Sequence, residues 1–214
     1  MELTLIRHTR LSALVVGIAL LVGAAPDDSE RHAVAGHFNV PELPTPAPAP
    51  APSAGNVVTN PGFETGKVDG GWYQCGDVSA YVMSAHPHAG AYDEYSGTLS
   101  GAEPQGNSGI CQAIRIPADA VLSAQLYQIS NEPDTTFAYQ EGDLLDERGN
   151  VVVTLYKTVN NKAAWVQGTW NLGAYAGKTY WLYFGVHGDG YPKLTTQQFL
   201  DDVLLTGSSS AGRE

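Results

Sequence analysis

The sequence predicts an all-β domain, and three observations predict it. Over residues 56–206 short apolar runs alternate with turn residues, several of those runs alternate apolar and polar side chains with a period of two, and no segment sustains an apolar period of 3.6 residues. Regularly spaced short strands with Gly, Asn and Asp between them favour a sandwich or a barrel. The expected strands, in order, are 56–59, 78–83, 110–115, 121–129, 142–146, 151–159, 165–172, 180–186 and 198–205. The punctuation between them is Asn60-Pro61-Gly62, Gly70-Gly71, Arg148-Gly149-Asn150, Asn160-Asn161 and Gly188-Asp189-Gly190, all residues that tolerate tight or left-handed turns. Residues 172–178 allow a single helical turn at most.

Three of these strands assign their own faces. In 180–186, Leu182, Phe184 and Val186 share one side and Trp181 and Tyr183 the other. In 165–172, Val166, Gly168, Trp170 and Leu172 share a side. In 198–205, Phe199, Asp201, Val203 and Leu205 do. A period of two puts one set inside and the other outside. A body of about 150 residues buries roughly two-thirds of its chain surface, enough for a real core.

The amino-terminal quarter reads as an address and a spacer. Arg7 and Arg10 precede a 15-residue apolar run over 11–25 that ends in small residues. That is the pattern of a secretory signal peptide, and the run is shorter than the roughly 18 residues of a membrane span. Cleavage is expected after Ala24, with a site after Ala35 as the second option and an uncleaved anchor as the alternative; each exports the remainder. No Cys follows the run to carry a lipid. Residues 26–55 are expected to be disordered. Within them, 41–52 hold six prolines, a polyproline II spacer of roughly 35–40 Å. The folded domain is expected at 56–206, with a disordered tail over 207–214.

Charge narrows the partners. Eleven Lys and Arg face 22 Asp and Glu, a formal charge of −11. A nucleic-acid binder needs a basic footprint, and anionic lipid also repels this sign. Only Cys75 and Cys111 are present. In an exported chain they are expected to pair.

Catalytic patterns are missing. There is no G-x-S-x-G elbow, no H-E-x-x-H zinc helix and no phosphate-binding Gly-rich loop. His86 and His88 could share one side of a strand and bind a metal, but no third ligand is identifiable. Glu141, Asp143, Asp146 and Glu147 read as a solvated charge run beside the Arg148-Gly149 turn. A non-enzyme is expected.

Four stretches carry a resemblance: Asn60-Pro61-Gly62-Phe63-Glu64-Thr65-Gly66, Gly71-Trp72, Leu172-Gly173-Ala174-Tyr175-Ala176-Gly177-Lys178, and Phe199-Leu200-Asp201-Asp202-Val203. With the segment from Ser84 to Tyr92, they resemble the galactose-binding-like jelly-roll modules of secreted proteins, among them carbohydrate-binding modules and modules appended to exported bacterial peptidases. The resemblance spans 56–206 and implies a two-sheet antiparallel β-sandwich. It also implies a structural calcium where the first and last strands meet, with Glu64 and Asp201 as side-chain ligands, Asp202 beside or instead of Asp201, and backbone carbonyls near Asn60 and the His88-Ala89-Gly90 turn. The chemistry suits Ca²⁺, which takes 6–8 hard oxygens.

The aromatics suggest the ligand. Sugars present apolar C–H faces that stack on aromatic rings. Trp72 and Trp170 are expected in the core. Trp181 and Tyr183, two apart on one strand, would form an outward strip about 7 Å long, extended by Tyr127, Tyr156 and Tyr191. The expected partner is an extracellular glycan or cell-surface polymer. The alternative is a structural or adhesion module that meets a protein and binds no small ligand.

Overall fold

In a computed structural model, the described residues are 31–34, 36, 38–43, 55–99 and 101–208. The signal segment, most of the proline-rich run and the end of the tail lie outside them. The strands are β1 (Trp72–Gln74), β2 (Tyr81–Met83), β3 (Asp93–Gly97), β4 (Gln105–Arg115), β5 (Ala118–Ser130), β6 (Tyr139–Leu145), β7 (Val151–Thr158), β8 (Trp165–Asn171), β9 (Thr179–Asp189) and β10 (Thr196–Ser208). They form two five-stranded antiparallel sheets: sheet A in the order β1-β4-β9-β6-β7, and sheet B in the order β2-β3-β10-β5-β8. Among the described residues the one helical element is a 3-10 turn, Gly173–Tyr175. No helix among them is long and apolar enough to cross a membrane.

Two short strands, β1 and β3, were not expected. The segment 56–59 forms no strand but lies against β10, where Val57 N–H donates to the Leu205 carbonyl and Val203 N–H to that of Pro61.

The period of two builds the core. Leu182 and Phe184 of β9, Ile110 of β4 and Leu144 of β6 face Leu122 of β5 and Leu200, Val203 and Leu205 of β10, all fully buried. Each such side chain contributes about 1.5–3 kcal/mol. The expected face of β10 is corrected here. Its pairing with β5 shifts register between Asp201 and Leu204, with Asp202 at a φ of +47°. This bulge moves Val203 and Leu205 into the core and leaves Phe199 and Asp201 on the outer side. At one end of the sandwich the core turns polar. There Gln128 Nε2 and the Tyr156 hydroxyl both donate to Gln198 Oε1, at 2.7 and 2.9 Å.

A second buried cluster lies on the far side of sheet A. Cys75, Cys111, Leu145, Trp181 and Tyr183 pack there beneath Phe38, Val40 and Leu43. The packed body therefore begins before the expected boundary at 56: the described residues of 31–43 lie against sheet A.

Cys75 and Cys111 are disulfide-bonded, with Cα atoms 5.7 Å apart. The bond adjoins β1, an edge strand of only three residues, and ties it to β4. Replacing both cysteines by alanine is expected to lower unfolding free energy by about 4 kcal/mol, from loop-closure entropy over the enclosed segment. Urea denaturation reads this directly, and an unchanged midpoint would contradict it.

Candidate functional site

The outer face of sheet B carries one aromatic row. Register pairs Tyr81 with Tyr95, Tyr95 with Phe199, Phe199 with Tyr127, and Tyr127 with Trp165. The five rings therefore cross all five strands, about 19 Å at ~4.8 Å per strand. Tyr95 and Phe199 are buried, Tyr127 and Trp165 half-buried, and Tyr81 is 46% exposed. Ring centroids lie 4.8 Å apart for Tyr95–Phe199, 5.6 Å for Tyr127–Phe199 and 5.7 Å for Tyr127–Trp165. Two residues along the same strands, Asp201, Gln125 and Gln167 form a parallel polar row.

A loop leans over this row. His86 stacks on Tyr127 at 5.0 Å, and His88 meets Trp165 edge-on at 5.4 Å. Acids hold the loop in place. Asp201 Oδ2 accepts the backbone N–H groups of His88 (2.9 Å) and Ala89 (3.1 Å). The Glu64 carboxylate accepts those of Ala91 (3.0 Å) and Tyr92 (3.3 Å). Asp202 Oδ2 lies 2.6 Å from His88 Nδ1. The bulge in β10 lets two consecutive acids serve one loop, where strict alternation would place them on opposite faces. Gly90, at a φ of +66°, packs against the Glu64 carboxylate where a Cβ would collide with it. Burial pushes the Asp201 carboxyl up, while the amides it accepts draw it down.

Of the residues expected around a cation, Glu64, Asp201 and Asp202 come together: all three have side-chain atoms within 4 Å of the point where Gly62 would carry a Cβ. His88 joins them through its N–H and ring. Asn60 does not, because its carbonyl accepts the Trp72 indole N–H (3.1 Å) and the Phe63 N–H (3.2 Å). No group of three or more His, Cys, Asp or Glu among the described residues is arranged to hold a metal ion. A cation here would need backbone carbonyls to complete its shell. Asp93, buried and pushed up to about 6 by burial with the nearby Asp201 charge adding to it, is a neighbouring acid that its sequence context did not single out.

The expected sugar strip is corrected. Trp181 and Tyr183 do point away from the sandwich interior, but both are 0% exposed. Phe38 covers Tyr183 at 4.8 Å and Tyr73 meets Trp181 at 5.6 Å. Tyr156 packs between the sheets on Trp170 at 5.6 Å. Tyr191 is buried beside Arg31, whose guanidinium carbon lies 5.1 Å from its ring. Only Tyr127 reaches the aromatic row.

The acidic run is corrected at Glu141 and Asp143, while Asp146 and Glu147 lie at the turn as expected. Glu141 and Asp143 lie on the outer face of sheet A, 7% and 0% exposed. Burial pushes Glu141 up to about 8 and Asp143 to about 6, with Lys157 drawing both back.

No family model matches this chain, and no curated protein does. Solved structures are similar. One is TmCBM61 in complex with β-1,4-galactotriose, at a TM-score of 0.50 and 20% identity over 70% of this chain and 97% of that one. The K2 cleaved adhesin domain of Lys-gingipain aligns at 0.48 and 15%, over 68% and 97% of the two chains. The xylan-binding CBM22-1 domain of Paenibacillus barcinonensis Xyn10C aligns at 0.43 and 18%, over 75% and 100%. The likeness is one of fold. For TmCBM61 the β-sandwich is shared at 20% sequence identity.

The buried acids set a pH dependence. Burial raises Glu141 and Glu103 to about 8, Asp143 to about 6, and Glu94 well above the usual carboxylate range. Unfolded carboxylates titrate near 4, so between about pH 4 and 8 the folded chain holds more protons. The stability from these groups is full below pH 4 and is lost as pH rises through 6 to 8. His187, lowered mainly by burial, opposes this with one group. The melting temperature is expected to be higher at pH 5 than at pH 8; calorimetry finding the reverse would contradict these assignments.

Proposed function

We propose that this protein is a non-catalytic carbohydrate-binding module, which stacks an extracellular glycan on the outer face of sheet B. The observation that carries this reading is the single register row ending in the half-buried Tyr127 and Trp165. The accessible parts of Tyr127 and Trp165 suit the apolar C–H faces of sugar rings, and Gln125, Gln167, His86 and His88 supply donors and acceptors for the hydroxyl rims. The fold supports it: TmCBM61, matched over nearly its whole length, was solved with β-1,4-galactotriose bound. The role asked of these residues is binding and orientation, with no nucleophile or acid–base pair. The amino-terminal signal pattern places the module outside the cell in this reading.

A structural calcium ion belongs to the proposal. Glu64 and Asp201, with Asp202 beside them, would be its side-chain ligands, and backbone carbonyls of the surrounding turns would complete the shell. Its contribution would be to neutralise the carboxylates of Asp201 and Asp202 beside Gly62 and of Glu64 beside Gly90 and to fix the loop bearing His86 and His88.

Two outcomes test the proposal. Trp165→Ala or Tyr127→Ala is expected to weaken oligosaccharide binding on the order of tenfold, the loss of about 1.4 kcal/mol. Calorimetric titration with β-1,4-galactotriose and xylan oligosaccharides measures it, and unchanged affinity in both variants would reject the row as the platform. Calcium is expected to raise the melting temperature of the wild-type chain but not that of Glu64→Gln. A wild-type transition that ignores both calcium and EDTA would reject the ion. Failure to bind any glycan on an array would favour the structural or adhesion role instead.

A further inference from the structure

At one end of the sandwich the strands and their loops gather three acids and two aromatic rings. Glu103 precedes β4, Glu132 follows β5, Phe137 precedes β6, Asp189 ends β9 and Tyr191 follows it. The surrounding loops orient these acids themselves. The Thr196 hydroxyl donates to Glu103 Oε1 at 2.8 Å. Ser130 Oγ, 3.1 Å from that hydroxyl, accepts the Glu132 N–H at 3.1 Å. The Tyr191 N–H donates to Asp189 Oδ1 at 3.0 Å, and the Glu103 N–H to the Tyr191 carbonyl at 3.2 Å. Burial holds Glu103 above the usual carboxylate range, and the Glu132 and Asp189 charges add to the rise.

One side chain enters this end from far off in the sequence. Arg31 is buried, whereas His32 and Ala33, which follow it, are exposed. A single residue thus dips into the domain from an exposed stretch of chain. Its Nε donates to Asp189 Oδ2 at 2.8 Å and its Nη2 to Glu132 Oε1 at 2.7 Å, with all three side chains essentially buried. Its guanidinium carbon lies 4.4 Å from the Phe137 ring centroid and 5.1 Å from that of Tyr191. Two carboxylates within reach of a planar fork, with rings against its face, suit a guanidinium and not an ammonium. The fit also leaves capacity over. Glu103 Oε2, Glu132 Oε2, the Tyr191 hydroxyl and Arg31 Nη1 are buried without a hydrogen-bond partner among the described residues. Native interiors leave few polar atoms in that condition. Their gathering around one inserted side chain marks a ligand seated in a site, not a residue built into a core.

We infer that this end of the sandwich is an arginine-binding socket, which takes one guanidinium from an extended peptide and is filled here in cis by Arg31. The socket is Glu103, Glu132, Phe137, Asp189 and Tyr191, and Arg31 is its resident ligand. A chain trimmed beyond residue 31 presents the socket empty, open to an arginine of another chain. The site is separate from the aromatic row of sheet B and does not depend on glycan binding there.

The experiment empties the socket in the full chain and refills it from outside. Arg31→Ala is expected to lower the melting temperature by about 10 °C, because a buried carboxylate loses its partner. An acetylated peptide of residues 31–34 is then titrated into this variant by calorimetry. Expected are saturable binding at one site and recovery of at least half of the lost melting temperature. The same peptide carrying Arg31→Lys is expected to bind about tenfold more weakly, and the wild-type chain, its socket filled, to bind neither. Adding Glu132→Gln to Arg31→Ala removes a stranded charge, so this double variant is expected to regain stability unaided and to lose peptide binding. Where Arg31→Ala does not fold alone, it is refolded with each peptide present, and recovery with the arginine peptide but not the lysine one is expected. A folded Arg31→Ala chain that ignores the arginine peptide, equal binding of both peptides, unchanged binding in the double variant, or refolding helped by neither peptide would overturn the inference. Glycan is absent throughout, so no outcome bears on the sheet B site.

Discussion

The register of β10 between β3 and β5 is the constraint on which the rest depends. Pairing Phe199 with both Tyr95 and Tyr127 sends Leu200 into the core and lines five aromatics across the outer face of sheet B. A slip of one residue would exchange these sets, bury rings where aliphatics now pack and expose Leu200. The bulge after Asp201 then corrects the phase, so that Val203 and Leu205 return to the core. In doing so it leaves Asp201 and Asp202 turned toward the same loop. Core, aromatic row and acid cluster are thus three consequences of one pairing.

The two sheets treat their outer faces differently. Both carry aromatic and polar side chains at hydrogen-bonding positions, the chemistry of a wet surface. Sheet B leaves Tyr81 exposed and Tyr127 and Trp165 half-buried under the His86–His88 loop, which is held by backbone amides donating to Glu64 and Asp201. Sheet A is covered by the chain's own segment, anchored through the buried Arg31. Burial works against that charge, but Glu132 and Asp189 hold the guanidinium more firmly protonated than usual. Breaking a buried pair of this kind by removing one partner costs about 3–5 kcal/mol. The Arg31 contact is therefore local and strong.

Much of the fold was legible because β9 and β8 obey a clean period of two, which needs no partner to interpret, while the bulge in β10 breaks that period. The direction of Trp181 and Tyr183 away from Leu182 and Phe184 was read correctly. Their exposure was not, since the covering residues have no periodicity of their own and adjoin a proline-rich run that reads as a spacer. The strands β1 and β3 escaped notice for want of length and apolar content: Asp93 and Glu94 in β3 look like turn residues until register places them. Glu141 and Asp143 misled for the related reason that acids beside a glycine turn are normally solvated. The aromatic row itself joins residues from five separate strands, and a single sequence contains no statement of which strands are neighbours. The disulfide was legible because the chain has two cysteines, which allow one pairing.

The central claim is that sheet B, through Tyr127 and Trp165, is the face that meets a glycan. The four tryptophans make a direct test, because each samples a different environment: Trp72 donates to the Asn60 carbonyl in the core, Trp170 packs against Tyr156, Trp181 is buried against Tyr73, and Trp165 belongs to the aromatic row of sheet B. Titrating the wild-type chain with β-1,4-galactotriose or a xylan oligosaccharide while following the four indole N–H resonances separates them. The account predicts a saturable shift of the Trp165 signal with the other three unmoved. Saturable binding that leaves Trp165 in place would contradict it.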